Sequence, residues 1–207
     1  MEKNKNKYIE EEIKVILVGE SGTGKTSLIN ATMGLKFQEQ LESTSTNSFS
    51  SKKININGKD FIINLWDTIG QEKFRSLTKI FIKDSKIVLL VYDITSKRTF
   101  DELDYWYKII HDILGDDPVI GVCGNKNDLV AREQVKEEDA IKYAEEKNID
   151  FKLTSAKNPL SFNKFLEEMV KKYVQKNGGL KETSSSGNSG KKINLNSDKK
   201  PEKKKCC

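Results

Sequence analysis

The stretch GESGTGKTS, residues 19–27, follows the apolar run IKVILV at 13–18 and is the strongest indication of the fold. It fits the pattern G-x-x-x-x-G-K-[ST], which closes on Lys25 and Thr26. A bound phosphate chain needs many N–H donors along a tight curve, and glycine lets the backbone turn and approach closely enough to supply them. The helix predicted to follow adds its unpaired N-terminal N–H groups and the positive end of its dipole. We interpret the stretch as a phosphate-binding loop, in which Lys25 reaches the outer phosphates and the Thr26 hydroxyl ligates Mg²⁺.

Apolar runs and amphipathic stretches alternate along the rest of the chain. The pair Asn57-Gly58 predicts a two-residue hairpin between two strands, and Gly34 predicts the end of the first helix. The alternation favours an α/β fold, with a six-stranded, mostly parallel sheet, one antiparallel strand and helices on both faces. We predict strands at 13–18, 49–56, 60–66, 86–94, 118–123 and 150–155, and helices at 25–33, 99–114 (capped by Thr99, with Glu102 three residues on), 137–148 and 160–175.

Composition limits the class of protein. The chain has 207 residues, of which 36% are apolar and 32% charged, and this suits one globular domain with a polar tail. No apolar run reaches the roughly 18 to 20 residues that span a bilayer. The charged N-terminus lacks the apolar core of a signal peptide, so we expect a cytosolic protein. We predict an N-terminal extension at 1–12, a globular domain at 13–176 and a disordered basic tail at 177–207.

The net charge of +5 is concentrated at one end of the chain. Residues 191–207 hold seven lysines against Asp198 and Glu202, so this segment alone accounts for +5. A nucleic-acid binder carries its basic charge on the folded body, and we therefore predict no nucleic-acid partner. Cys206 and Cys207 end the chain and are too close in sequence to cross-link a fold.

Three further stretches indicate which nucleotide the phosphate loop serves. NKND at 125–128 follows a predicted buried strand, at the edge of the sheet where ligands bind in open α/β folds. The Asp128 carboxylate can accept from both N1–H and the exocyclic amine of guanine, whereas adenine offers no matching pair of donors. TSAK at 154–157 can offer a backbone N–H to the base oxygen, and WDTIGQE at 66–72 brings Asp67 to the metal. Together these stretches predict a guanine nucleotide site.

From about Ile13 to Gln175 these motifs resemble those of the Rab branch of the Ras superfamily of small GTPases. The resemblance implies the P-loop GTPase fold and a switch that hydrolyses GTP to GDP with Mg²⁺. It also implies that Gln71 orients the attacking water as the catalytic residue, and that the metal is held by Thr26, Thr44 and, through water, Asp67. The nucleotide-binding residues implied by motif and resemblance are Ser21, Gly22, Thr23, Gly24, Lys25, Thr26, Ser27, Phe37, Thr44, Gly70, Asn125, Lys126, Asp128, Ser155, Ala156 and Lys157.

The resemblance extends to partners and to location. Phe49, Trp66 and Phe81 coincide with the aromatic triad that Rab effectors read, although core packing is an alternative explanation of these rings. The final Cys206-Cys207 resembles the doubly prenylated Rab terminus, and two lipid chains hold stably to a bilayer where one does not. The implied protein is a monomer on the cytoplasmic face of an intracellular or plasma membrane that cycles with the cytosol. Its implied partners are an exchange factor, a GTPase-activating protein, a GDP-dissociation inhibitor and effectors of vesicle-mediated protein transport.

Some residues depart from the Rab pattern and keep other functions open. Ile69 stands where the family has alanine, and Ser45 and Thr46 stand where Rabs carry isoleucine and glycine. We predict slow hydrolysis because the stiff, β-branched Ile69 lies beside Gly70. One alternative is a GTP-bound scaffold that no longer hydrolyses. Another is a P-loop kinase of small molecules, which the NKND motif and the scarcity of arginine, three in the chain, disfavour.

Overall fold

The computed structural model describes residues 11–39, 48–68 and 75–178. Its strands are β1 (Glu11–Val18), β2 (Ser48–Ile56), β3 (Lys59–Asp67), β4 (Ile87–Asp93), β5 (Val119–Asn125) and β6 (Asp150–Leu153). Its helices are α1 (Lys25–Thr32), α2 (Arg75–Ile82), α3 (Lys97–Asp101), α4 (Leu103–Leu114), α5 (Glu137–Lys147) and α6 (Leu160–Lys176), and a 3₁₀ helix covers Asn127–Arg132. Among these helices, none combines the length and the apolar character that crossing a membrane requires.

The six strands form one sheet in the order β2-β3-β1-β4-β5-β6. Only β2 runs antiparallel to its neighbour β3, and every other pair in the sheet is parallel. The predicted α/β architecture is therefore confirmed. Because the parallel strands end at the same edge, the loops that follow β1, β4, β5 and β6 are brought together there.

Alternate residues of the central strands supply two separate cores. In β1, Val15 and Leu17 face one side of the sheet, where α1 and α6 pack. Ile16 and Val18 face the other side, where α4 packs with Trp106 among its buried residues. Strand β4 is buried along its whole length, as a central strand covered on both faces must be.

Two turns predicted from local sequence are confirmed. Asn57 and Gly58 join β2 to β3 with φ of 51° and 84°, the left-handed conformation that a tight hairpin of this kind requires at both positions. Gly34 follows α1 with φ of 82°, and its N–H donates to the carbonyl of Ala31 at 3.1 Å. Glycine suits this position because it has no Cβ to clash in the left-handed region.

The helix predicted at 99–114 is wrong at its start. Helix α3 begins earlier, at Lys97, and Glu102 separates it from α4. The Thr99 hydroxyl does not cap a helix, because it accepts from the Asp93 N–H at 3.0 Å and donates to the Ser96 carbonyl at 2.8 Å. Thr99 thus ties the end of β4 to α3, a tertiary role that its sequence spacing did not indicate.

Candidate nucleotide site

The phosphate loop lies between β1 and α1, where the sequence pattern predicts it. Gly19 lies so close to β4 that a Cβ would meet the carbonyl of Val91. Gly22 and Gly24 have φ of 79° and 90°, which side chains other than glycine rarely adopt. The three glycines therefore allow a tight curve packed against the central strand.

Lys25 is buried at the first position of α1, with its ammonium turned back into the loop. Its Nζ donates to the carbonyls of Gly19 at 2.9 Å and Glu20 at 3.0 Å. Burial lowers the pKa of Lys25 to about 8, although the charges of Asp67 and Glu20 oppose that shift. A cation held in this way gains stabilisation when an anion enters the loop.

Thr26 and Asp67 meet where the sequence predicts the metal. The Thr26 hydroxyl donates to Oδ2 of Asp67 at 2.7 Å, although the two residues are 41 positions apart. Asp67 is buried at the end of β3. A hydroxyl beside a carboxylate is the oxygen chemistry that Mg²⁺ prefers, so the two side chains fit the metal that the sequence predicts.

Asn125, the last residue of β5, links the predicted base side of the cleft to the phosphate loop. Its Nδ2 donates to the carbonyl of Thr23 at 2.8 Å, and its Oδ1 accepts from the Thr154 hydroxyl at 3.4 Å. Gly24 passes so close that a Cβ there would lie 2.5 Å from the Asn125 Nδ2. One buried amide thus joins the loops that follow three different strands.

The Asp128 carboxylate is held by two side chains of the loop after β6. The Ser155 hydroxyl donates to Oδ1 at 2.6 Å, and the Lys157 Nζ lies 3.3 Å from Oδ2. Burial pushes the pKa of Asp128 upward, but the Ser155 hydrogen bond and the Lys157 ammonium outweigh it, so the pKa lies below its ordinary value. Asp128 is therefore fixed in place as an ionised acceptor of hydrogen bonds.

Phe37 and Lys126 approach the base side from elsewhere in the chain. The Lys157 Nζ lies 5.3 Å from the centre of the Phe37 ring. Lys126 has φ of 66° and pairs through its Nζ with Oδ2 of Asp93 at 2.7 Å. These contacts give the base side an aromatic ring and two ordered cations.

A cleft of about 580 Å³ runs from the phosphate loop to Asp128. The predicted site residues that line it are Ser21, Gly22, Gly24, Lys25, Thr26, Ser27, Phe37, Asn125, Lys126, Asp128, Ala156 and Lys157. Thr23, Asp67 and Ser155 lie behind the wall, where they hold Asn125, Thr26 and Asp128 by the hydrogen bonds given above. The predicted residues Thr44, Gly70 and Gln71 lie outside the described residues, as do Ile69, Cys206 and Cys207.

The cleft also contains residues that the sequence analysis missed, namely Gln38, Glu39, Thr68, Leu129 and Arg132. Oε1 of Glu39 lies 3.8 Å from the Lys157 Nζ, so Glu39 forms an ion pair with a residue on the predicted base side of the cleft. Arg132 ends the 3₁₀ helix that begins next to Asp128. None of the motifs quoted in the sequence analysis includes Arg132 or Glu39, so local pattern alone did not predict either residue in the cleft.

Phe49, Trp66 and Phe81 form one row of rings at the side of the sheet. The Phe49 and Trp66 centroids are 5.1 Å apart and stacked, and those of Trp66 and Phe81 are 5.8 Å apart and tilted. Lys14 places its Nζ 4.8 Å from the Trp66 ring centre. Phe49 is 56% exposed, so core packing alone does not account for it.

Comparison with known proteins gives consistent results. The family model described as "Ras family" matches residues 14–175. The chain is 37% identical over 164 residues to the Ras-related protein Rab-21 of Geodia cydonium, covering 79% of this chain and 72% of that protein. It is 36% identical over 180 residues to the Ras-related protein Rab-2B of Dictyostelium discoideum, covering 85% and 89%. It is also 36% identical over 162 residues to the Ras-related protein Rab-21 of Homo sapiens, covering 78% and 72%.

Proposed function

The chain belongs to the Ras family of small GTPases, and from that membership we propose that it acts as a Rab-type switch, which binds GTP and GDP and hydrolyses GTP. The observation that carries the proposal is the hydrogen bond from Asn125 to the Thr23 carbonyl. It joins a phosphate loop and a guanine-reading loop into one cleft, and a guanine nucleotide needs both. Asp128 reads the base, and Lys25 exchanges its two carbonyl contacts for phosphate oxygens.

We propose that Mg²⁺ is held by the Thr26 and Thr44 hydroxyls and, through water, by Asp67. The short contact between Thr26 and Asp67 supports this assignment, because it brings together the only two of these side chains that the described ranges include. A bound Mg²⁺ would offset the charge of the outer phosphates. Asp67 would then accept hydrogen bonds from the water and the Thr26 hydroxyl that bind the ion, and so hold Thr26 in position.

Hydrolysis transfers the γ-phosphoryl group of GTP to water and gives GDP and phosphate. We assign the orientation of that water to Gln71 and the contact with the γ-phosphate to the Gly70 N–H. Ile69 precedes both, and its β-branched side chain restricts the backbone that has to move. A positioning error of about 1 Å can cost roughly 10²-fold in rate, so we propose slow intrinsic hydrolysis.

Single-turnover hydrolysis by Ile69→Ala tests that proposal. A several-fold rise in rate with unchanged nucleotide affinity supports it, and an unchanged rate contradicts it. A wild-type chain that binds GTP and releases no phosphate over many hours, even with a GTPase-activating protein of the family, would favour the alternative of a GTP-bound scaffold.

We propose that the switch is anchored to the cytoplasmic face of a membrane by prenyl groups on Cys206 and Cys207, assisted by the lysines of 191–207. By family membership it serves vesicle-mediated protein transport as a monomer and cycles with the cytosol. Its partners would be an exchange factor, a GTPase-activating protein, a GDP-dissociation inhibitor and effectors that dock on Phe49, Trp66 and Phe81. Removing the last two residues should shift a tagged chain from membrane to cytosol, and persistent membrane attachment would refute the anchor.

Direct binding tests the central proposal. The full-length chain should bind GTP and GDP in Mg²⁺ and reject ATP by roughly 10⁴-fold or more, since the site reads hydrogen bonds. Asp128→Ala should abolish this preference, whereas Asp117→Ala, an exposed aspartate before β5, should retain it. Equal affinity for ATP and GTP in the wild-type chain would refute the proposed function.

A further inference from the structure

A buried carboxylate lies beneath the phosphate loop. Glu20, the second residue of the loop, is 1% exposed, and its Oε2 lies 3.1 Å from Nη1 of Arg98. The Arg98 side chain is 67% exposed and belongs to α3 on the outside of the domain. The ion pair therefore links a solvent-facing cation to the inside of the nucleotide site.

The backbone of the same residue organises the loop. The Glu20 carbonyl accepts from the Lys25 Nζ at 3.0 Å and from the Thr23 hydroxyl at 2.9 Å. A shift of Glu20 would consequently displace the cation that meets the phosphates, and it would also displace the residue whose carbonyl holds Asn125. Arg98, which pairs with the Glu20 carboxylate, can therefore influence the positions of Lys25 and Thr23.

The charge of Glu20 attracts the Lys25 ammonium, but it also repels an anion that enters the loop. An unscreened carboxylate beside a polyphosphate repels it, and the repulsion grows where water is excluded. The guanidinium of Arg98 offsets that charge from outside while leaving the cleft free for the ligand. This placement differs from that of Lys25, which is one of the residues that line the cleft.

The segment that carries Arg98 also supports the base side. Oδ2 of Asp93 pairs with Lys126 at 2.7 Å, and the Ile94 N–H donates to the Asn125 carbonyl at 3.1 Å. Residues 93–98 thus contact the guanine-reading loop at one end and the phosphate loop at the other.

We propose that Arg98 is a positioning residue for nucleotide binding, which sets the affinity of the phosphate loop for polyphosphate by neutralising Glu20 from the outer side. The inference rests on the proposed guanine nucleotide site. It predicts an effect that depends on ligand charge: nucleotides with a phosphate chain in the loop depend on Arg98, and GMP, which lacks the β- and γ-phosphates that the loop and Lys25 contact, does so much less.

The test measures competition of GTP, GDP and GMP against a fluorescent GDP analogue on the full-length chain. Arg98→Gln should lower the affinity for GTP and GDP about threefold to fivefold, a modest value because the exposed side of the pair is screened by solvent, and the affinity for GMP less than about 1.5-fold. Arg98→Lys should recover most of the loss. The double variant Glu20→Gln/Arg98→Gln should recover it as well, because no carboxylate then needs to be neutralised.

Lys97→Gln is the matched control. Lys97 precedes Arg98 in the same helix, but its Nζ pairs with Asp101 at 2.7 Å and not with the loop. It should leave all three affinities unchanged. Unchanged affinities in Arg98→Gln, or an equal loss for GMP and GDP, would overturn the inference while leaving the proposed function intact. A wild-type chain that binds no guanine nucleotide would overturn both.

Discussion

Replacing Gly24 by alanine probes the contact that joins the two halves of the site. Gly24 has φ of 90°, and a Cβ there would lie 2.5 Å from the Asn125 Nδ2. No such approach is tolerated, so the Asn125 amide must move. Its movement breaks the 2.8 Å hydrogen bond to the Thr23 carbonyl, on which the continuity of the cleft depends.

The magnitude follows from two separate costs. Holding alanine in the left-handed region costs about 1–2 kcal/mol. Losing the buried hydrogen bond of Asn125 costs about 0.5–1.5 kcal/mol more. Gly24→Ala should therefore lower the free energy of unfolding by about 1.5–3.5 kcal/mol. The lost bond alone, at about 1 kcal/mol, should speed GDP release about fivefold.

Gly34→Ala separates the two costs. Gly34 has φ of 82°, but a Cβ there would meet nothing within 4 Å, and the residue is not part of the cleft. It should show the backbone cost of about 1–2 kcal/mol in denaturant unfolding and no change in GDP release, followed by stopped-flow fluorescence. If the two variants are equally destabilised and release GDP at the same rate, the coupling through Asn125 is refuted.

Three more predictions concern the ligand. The affinity of nucleotide-free protein for GDP should fall by up to about tenfold per pH unit above pH 8, because Lys25, with a pKa of about 8, then takes up a proton when phosphate binds. Competition assays from pH 7 to 9 should show this slope, and Lys25→Gln should remove it. Asp128→Asn should weaken the binding of GTP and strengthen that of xanthosine triphosphate, whose base presents an oxygen where guanine presents an amine. Unchanged GTP affinity by calorimetry would exclude Asp128 from the site. Thr26→Asn should bias the protein toward GDP or the empty state, and a variant with wild-type GTP affinity in Mg²⁺ would contradict the metal assignment.

Local chemistry made most of the fold predictable. Asn57-Gly58 and Gly34 need left-handed backbone, so their residue types identify the turns before any tertiary contact is known. Thr99 shows where this reasoning fails. Its hydroxyl could cap a helix or bond to a neighbouring strand, and the packing of α3 against the end of β4, which the sequence spacing does not reveal, selects the second use.

The candidate site divides in the same way. The phosphate loop and the NKND stretch are contiguous motifs, and the structure brings them to one cleft. Arg98 and Glu20 are 78 residues apart, and each has an ordinary sequence environment. Their pairing arises because the loop after β1 and the segment after β4 leave neighbouring strands at the same edge, and it becomes visible only with the sheet order.

Helix α6 ends on the side of the domain away from the nucleotide cleft. The Lys176 Nζ donates to the carbonyls of Asp116 at 3.0 Å and Asp117 at 2.8 Å, just before β5 begins. Asn125 closes the same strand at the nucleotide cleft, about 20 Å beyond Val119, the first residue of β5. The chain therefore leaves the domain at the pole opposite the cleft. A membrane tether that begins beyond Lys176 would start on the side of the domain away from the cleft, so nucleotide exchange would not require detachment from the membrane.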